Sequence, residues 1–74
     1  MDNNFASNLR WLRKANHMNQ ADIGKYVGKS QDLVSAWEKG TRKPLVEDVY
    51  ILANLFGIGM EQLYFGDVTE VAVK

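Results

Sequence analysis

Few side chains in this 74-residue sequence are suited to chemical catalysis, since it has one histidine and no cysteine. No cluster of carboxylates surrounds His17, so neither a zinc site nor a carboxylate-rich metal site is expected. The triplet Gly57-Ile58-Gly59 follows no predicted strand and is therefore not a phosphate-binding loop. We expect no enzymatic activity, no metal and no cofactor, and nothing in the residues indicates a small-molecule ligand.

Charged side chains are distributed unevenly along the chain, although its formal net charge is zero. Residues 1–46 carry eight basic and four acidic side chains, whereas residues 47–74 carry one basic and five acidic side chains. An electrostatic footprint is a local property of a surface. The neutral total therefore does not exclude an anionic partner for the first part of the chain.

The length corresponds to one small domain, and 46% of its residues are apolar and available for a core. No apolar run approaches the roughly 18–20 residues that span a bilayer, and no secretory leader is recognisable. We therefore expect a soluble, cytoplasmic protein with no membrane partner.

Five short helices are predicted, joined by four tight turns, three of which contain glycine. Apolar side chains recur at helical spacing over residues 4–16, 20–27, 31–39, 46–56 and 60–64. Asn19 and Ser30 are suitable N-caps for the second and third helices. Gly28 and Gly40 suit the left-handed ends of the same two helices.

These elements predict an all-α fold, because no convincing internal strand occurs. We assign residues 1–66 to the five-helix domain and residues 67–74 to a C-terminal tail. The tail is rich in β-branched residues, which favours an extended segment. Apolar side chains crowd this end of the chain, where we expect a two-fold dimer contact through Tyr64, Phe65, Val68, Val71 and Val73.

The segment from Gln20 to Glu38 has the pattern of a helix-turn-helix, in which two short helices meet at a steep angle around a glycine-containing turn. Gly28 ends the first of these helices, and Ser30 caps the next one two residues later. Gly24 supplies the small residue that is needed where the two helices cross.

Over residues 5–64 the sequence resembles the lambda-repressor-like, Cro-type helix-turn-helix family of phage and bacterial transcription regulators. The residues that carry the resemblance are Leu9, Leu12-Arg13, Gln20, Ile23, Gly28, Ser30, Val34, Trp37-Glu38-Lys39-Gly40, Arg42-Lys43-Pro44, Val49, Leu52-Ala53, Phe56-Gly57-Ile58 and Leu63. The sequence departs from the family pattern at three places. Gly24 replaces a usual alanine, Leu45 replaces a common capping serine, and Asp32-Leu33 occupies positions that are commonly polar or basic.

The resemblance implies that the third helix enters the major groove of double-stranded DNA and reads base edges with its first turns. The implied base-contacting residues are Gln31, Asp32, Ser35 and Ala36. Glutamine can pair with adenine through two hydrogen bonds. Three roles are open for Asp32: it complements the helix dipole, accepts a hydrogen bond from cytosine, or repels unsuitable sequences.

The same resemblance implies contacts with DNA phosphates from Gln20, Ser30, Lys39, Arg42 and Lys43. It also implies a structural ion pair between Arg13 and Glu38, which orients the third helix without touching DNA.

Two functions are compatible with these features. The first is a sequence-specific regulator, in the manner of a small repressor, that binds a palindromic operator as a homodimer. The second is a protein-interaction module on the same fold, such as an antitoxin or an anti-repressor, which the neutral charge, Asp32 and the apolar tail favour. Phosphate contacts weaken steeply with salt and apolar contacts do not, so salt dependence distinguishes the two.

Overall fold

The computed structural model describes residues 3–70, which form five α-helices and a final 3-10 turn. The helices are α1 (Phe5–Ala15), α2 (Gln20–Val27), α3 (Gln31–Lys39), α4 (Val46–Phe56) and α5 (Met60–Phe65), and the turn is Val68–Glu70. No strand occurs within residues 3–70, and the predicted all-α, five-helix architecture is confirmed. None of the helices in this part of the chain is long and apolar enough to cross a membrane.

A single apolar core lies between the helices, and each helix contributes to it a side chain with no exposed surface. These side chains, in chain order, are Leu9, Ile23, Val34, Leu52 and Leu63. Trp37 is 1% exposed and meets Phe5 edge to face, with 6.0 Å between the ring centroids. Trp37 is therefore part of the core and is not available for stacking on a nucleotide.

The predicted N-caps of α2 and α3 are present as hydrogen bonds. The Asn19 side chain accepts the N–H of Asp22 at 2.8 Å, and the Asp22 carboxylate accepts the N–H of Asn19 at 2.9 Å. Ser30 Oγ accepts the N–H of Leu33 at 3.2 Å. Both helices thus begin at the predicted residue, because the cap satisfies a backbone donor that has no partner within the helix.

Left-handed residues end the first four helices. Three of these residues are glycines, with φ of 71°, 77° and 68° at Gly28, Gly40 and Gly57. The fourth is His17, whose φ of 59° is uncommon for a residue that has a Cβ atom. It lets the N–H of Met18 donate to the carbonyl of Arg13 at 2.9 Å, which satisfies an acceptor at the end of α1.

The C-terminal turn packs back onto α1, so the expectation of an extended tail is wrong for residues 68–70. Val68 is fully buried in the core of its own protomer and cannot take part in the predicted dimer contact. The Asp67 carboxylate accepts the N–H and the hydroxyl of Thr69, which starts the turn and lowers the pKa of Asp67. The domain therefore continues past residue 66, while Val71 and Val73 lie outside the described residues.

Two asparagines of the N-terminal region hold this end of the chain in place. Asn8 is 5% exposed, and its amide donates to the carbonyls of Leu63 and Gly66 at 2.9 Å. The Asn4 amide donates to the carbonyls of Phe65 and Gly66 at 3.1 and 3.0 Å. Because α5 is short, these bonds satisfy its last carbonyls, which have no partner within the helix.

Gly24 lies where α2 crosses the turn that leads into α3. A Cβ atom at this position would lie 2.7 Å from the carbonyl oxygen of Lys29 and 3.4 Å from the carbonyl carbon of Ser30. Both atoms belong to the backbone and cannot yield without moving the turn. Gly24, which replaces the alanine usual in the family, therefore lies where the backbone of α2 closely approaches the backbone of the turn before α3.

We expect Gly24→Val to lower the free energy of unfolding by about 2–3 kcal/mol, because the added atoms push α2 away from the turn. Urea denaturation followed by circular dichroism measures this change. Lys25→Val is the matched control, since Lys25 is exposed on the same helix and only helix propensity changes, by less than about 0.7 kcal/mol. Equal losses in the two variants would contradict the close approach as the cause.

Candidate nucleic-acid interface

The first turns of α3 are open to solvent. Ser30, Gln31 and Asp32 are exposed, and Ser35 and Ala36, one turn further on, are half-buried. Residues three and four apart share one face of a helix, so the four predicted base-contacting residues of α3 form one continuous surface. A helix with one face exposed on the surface of its domain can enter a DNA major groove, which is about 12 Å wide.

The opposite face of α3 is anchored in the domain by an ion pair at its last turn. Glu38 is 5% exposed, and its carboxylate accepts Nε of Arg13 at 2.7 Å and Nη2 of Arg13 at 2.9 Å. The remaining Nη1 donates to the carbonyl of Met18 at 3.1 Å. The hydrogen bond to Glu38 raises the pKa of Arg13, so the guanidinium stays charged. Two hydrogen bonds between one guanidinium and one carboxylate constrain the relative orientation of the two groups as well as their distance. The pair therefore fixes α1 against the end of α3.

Gln20, at the start of α2, is connected to this ion pair. Its Nε2 donates to Oε1 of Glu38 at 3.2 Å, and its side chain is half-buried. The other amide N–H and the amide oxygen of Gln20 have no partner among residues 3–70. Gln20 can therefore brace α3 and still offer a donor to an anion at the N-terminus of α2.

Three cations lie at and just beyond the C-terminal end of α3. Lys39, Arg42 and Lys43 are exposed. Within residues 3–70 the ion pairs are those of Arg13 with Glu38 and of Lys29 with Asp48, so none of the three is neutralised there. Cations left unpaired beside an exposed helix suit an anionic partner such as the DNA backbone.

The start of α4 is held by Asp48 rather than by a capping side chain at Leu45. Asp48 is 2% exposed, and its carboxylate accepts the N–H of Leu45 at 3.1 Å and lies 4.0 Å from Nζ of Lys29. The absence of the family's capping serine is thus compensated three residues later. The loop that carries Arg42 and Lys43 leads directly into this capped end of α4.

The described part of the chain holds no group of three or more histidine, aspartate, glutamate or cysteine side chains that could bind a metal ion. The site consists instead of an exposed helix, two amide side chains and a set of cations. A short helix pair, crossed at a glycine and with the second helix presented to solvent, defines a helix-turn-helix domain.

Comparison with known proteins identifies the class. Residues 9–63 match the family described as "Helix-turn-helix", and the chain belongs to this lambda-repressor-like family. The cryptic phage CTXphi transcriptional repressor RstR of Vibrio cholerae is 31% identical over 70 residues, which cover 95% of this chain and 63% of the repressor. The chain therefore spans less than two thirds of that relative.

Two further proteins are similar. An uncharacterised HTH-type transcriptional regulator of Methanocaldococcus jannaschii is 29% identical over 56 residues, which cover 76% of this chain and 85% of the regulator. The crystal structure of a transcriptional regulator from Listeria innocua matches all of this chain and 68% of that chain, with a TM-score of 0.84 and 27% identity. The family is one of transcriptional regulators, not of enzymes, as the sequence predicted.

We expect Arg13→Met alone to lower the free energy of unfolding by about 3 kcal/mol, because it leaves the buried carboxylate of Glu38 without its cation. The double variant Arg13→Met/Glu38→Leu removes both charges and should recover a large part of this loss. Chemical denaturation of Arg13→Met, Glu38→Leu and the double variant completes the double-mutant cycle. Strictly additive losses would contradict a coupled pair.

Proposed function

We propose that this chain is a sequence-specific regulator of transcription that binds double-stranded DNA with α3 in the major groove. The observation that carries the proposal is the exposed polar face of α3, held from behind by the buried pair of Arg13 and Glu38. Direct readout requires side chains that reach base edges and a backbone that does not shift when they bind. The exposed first turns of α3 and the buried ion pair behind its last turn support both requirements.

Phosphate contacts come from the residues that surround this face. Lys39, Arg42 and Lys43 supply positive charge at one end of α3. Gln20 and Ser30 supply donors near the other end, where the N-termini of α2 and α3 also favour an anion. These contacts would set the register of the protein on the duplex and carry no sequence information themselves.

The operator is proposed to be palindromic and to bind two copies. Helix-turn-helix dimers read half-sites whose centres lie about 34 Å apart, on one face of the duplex. The extents of one protomer, 30 × 28 × 19 Å, are comparable with that spacing. The relative that matches 95% of this chain is named a repressor, which favours repression as the outcome of binding.

A protein-interaction module on the same fold is the second candidate, favoured by the zero net charge and by apolar surface outside α3. The unpaired cations beside α3 favour DNA instead, because an apolar protein contact would not require them. Salt dependence separates the two candidates.

We expect the logarithm of DNA affinity to fall linearly with the logarithm of salt concentration, since each neutralised phosphate releases counterions. The ligand is the duplex selected by this protein from a random pool, and affinity is measured by fluorescence anisotropy. Lys43→Ala and Arg42→Ala should each reduce the slope by about one. Lys14→Ala removes an exposed cation from α1 and should leave the slope unchanged. A slope near zero for the unaltered protein would favour the protein-interaction module.

We expect Asp32 to read a base, so that Asp32→Ala weakens one preference for cytosine in each half-site by about tenfold. Glu47 is the matched control, because it is an exposed acid at the same position of the first turn of α4. Glu47→Ala should change helix stability as Asp32→Ala does, and should leave the selected sequence unchanged. If the unaltered protein, Asp32→Ala and Glu47→Ala all select the same sequence, Asp32 contacts no base and only complements the helix dipole.

A further inference from the structure

Lys29, in the turn between α2 and α3, differs from the other lysines of the domain. Among the lysines of residues 3–70 it is the one that is not exposed, and 33% of its side chain is accessible to solvent. Its Nζ lies 4.0 Å from Oδ1 of the buried Asp48. A lysine that points toward a buried carboxylate is placed differently from one whose ammonium group is free to reach a phosphate.

The backbone of the turn accounts for the position of this side chain. Gly28 has a φ of 71°, and the N–H of Lys29 donates to the carbonyl of Gly24 at 2.9 Å. At a helix end of this kind, the residue after the left-handed glycine often packs on the last turn of the helix through an apolar contact. Lys29 occupies that position, and its long side chain extends to Asp48 of α4.

The two carboxylate oxygens of Asp48 serve two different elements. Oδ2 accepts the N–H of Leu45 at 3.1 Å, at the start of α4, and Oδ1 faces Lys29. The distance of 4.0 Å to Nζ exceeds that of a hydrogen bond, so the attraction is one between two full charges. Salt screens a pair weakly when it is partly buried. Asp48 thereby connects the α2–α3 turn to the start of α4.

The first turn of α3 is the part of that helix with the fewest contacts to the core. The buried residues of α3 begin at Val34, and the residues before it are exposed or half-buried. Gln31 and Asp32, two of the predicted base-contacting residues, lie in this first turn. Lys29 precedes them by two and three positions, so a displacement of the turn displaces them as well. A recognition site has to hold its contacting groups to within about 0.5 Å.

A phosphate contact is the alternative role for Lys29, because the next residue, Ser30, is a proposed phosphate contact. To reach a phosphate, Nζ would have to leave Asp48, and a buried carboxylate without its cation is destabilising. Lys39 and Lys43 are exposed and have no ion pair within residues 3–70, so they can reach a phosphate without that penalty. The contact with Asp48 is therefore the favoured role.

We propose that Lys29 is a positioning residue for DNA recognition: through its attraction to Asp48 it holds the α2–α3 turn against the start of α4 and keeps the first turn of α3 in place. Lys29 itself contacts neither a base nor a phosphate. Helix α3 then has an anchor at its first end, in addition to the pair of Arg13 and Glu38 at its last turn. This role rests on the proposed function, because it concerns the recognition of a DNA sequence.

The test compares the unaltered protein with Lys29→Met and with Lys25→Met, a control that removes an exposed lysine from α2. Fluorescence anisotropy gives two quantities: the salt slope on the selected duplex, and the ratio of affinities for that duplex and a scrambled one. We expect Lys29→Met to lose about tenfold in the ratio, as for one misread base pair, with its salt slope unchanged. Lys25→Met should keep the ratio of the unaltered protein.

The double variant Lys29→Met/Asp48→Asn separates positioning from stability. The amide oxygen introduced by Asp48→Asn can still accept the N–H of Leu45, and no buried charge is left without a partner. We expect the urea midpoint to fall in Lys29→Met and to recover in the double variant, whereas the affinity ratio stays low in both. If Lys29→Met does not fold, the double variant still tests the ratio.

Recovery of the affinity ratio in the double variant would overturn the proposal, because Lys29 would then matter for folding alone. An unchanged ratio in Lys29→Met would overturn it too. A salt slope lower by about one in Lys29→Met would identify a phosphate contact, with the same consequence. If the unaltered protein selects no duplex, the proposed function is refuted and this role with it. A failure confined to the Lys29 variants refutes only this role.

Discussion

The carboxylate of Glu38 accepts three hydrogen bonds, two from Arg13 and one from Gln20, and the position of α3 depends on them. A nine-residue helix is not stable alone in water, so its placement must come from tertiary contacts. An ion pair this well buried tolerates little displacement, because separating the partners leaves a desolvated charge. One residue thereby joins α1, the start of α2 and the end of α3, and together with the buried Val34 and Trp37 it leaves the opposite face of α3 exposed.

The position of α3 also depends on a close backbone contact and on the apolar core. Backbone contact at Gly24 sets the crossing of α2 and α3, and a small core joins the five helices. A chain of this size buries a limited share of its surface, so hydrogen bonds that hold its C-terminal end contribute to stability. Asn8 of α1 donates such hydrogen bonds to carbonyls at the end of α5, and Val68 is buried in the core just beyond it.

The zero net charge conceals a chain whose two halves carry charges of opposite sign. Among the acids of the second half, Asp48 is buried and lies near Lys29, whereas Glu47 and Glu61 are exposed on α4 and α5. Lys39, Arg42 and Lys43, at and just beyond the C-terminal end of α3, remain unpaired within the described residues. Local charge rather than total charge therefore decides what each face can bind, which reconciles a neutral protein with an anionic partner.

The sequence by itself determined the features that depend on near neighbours. Helix positions, the caps at Asn19 and Ser30 and the exposed face of α3 follow from apolar spacing and from residues within one turn. The pairing of Arg13 with Glu38 was accessible only through family resemblance, since 25 positions separate the two residues. Only the tertiary structure decided the burial of Val68 and the hydrogen bonds from Asn8 to the carbonyls of Leu63 and Gly66. Each depends on residues distant in sequence that packing brings together, and no local pattern encodes such contacts.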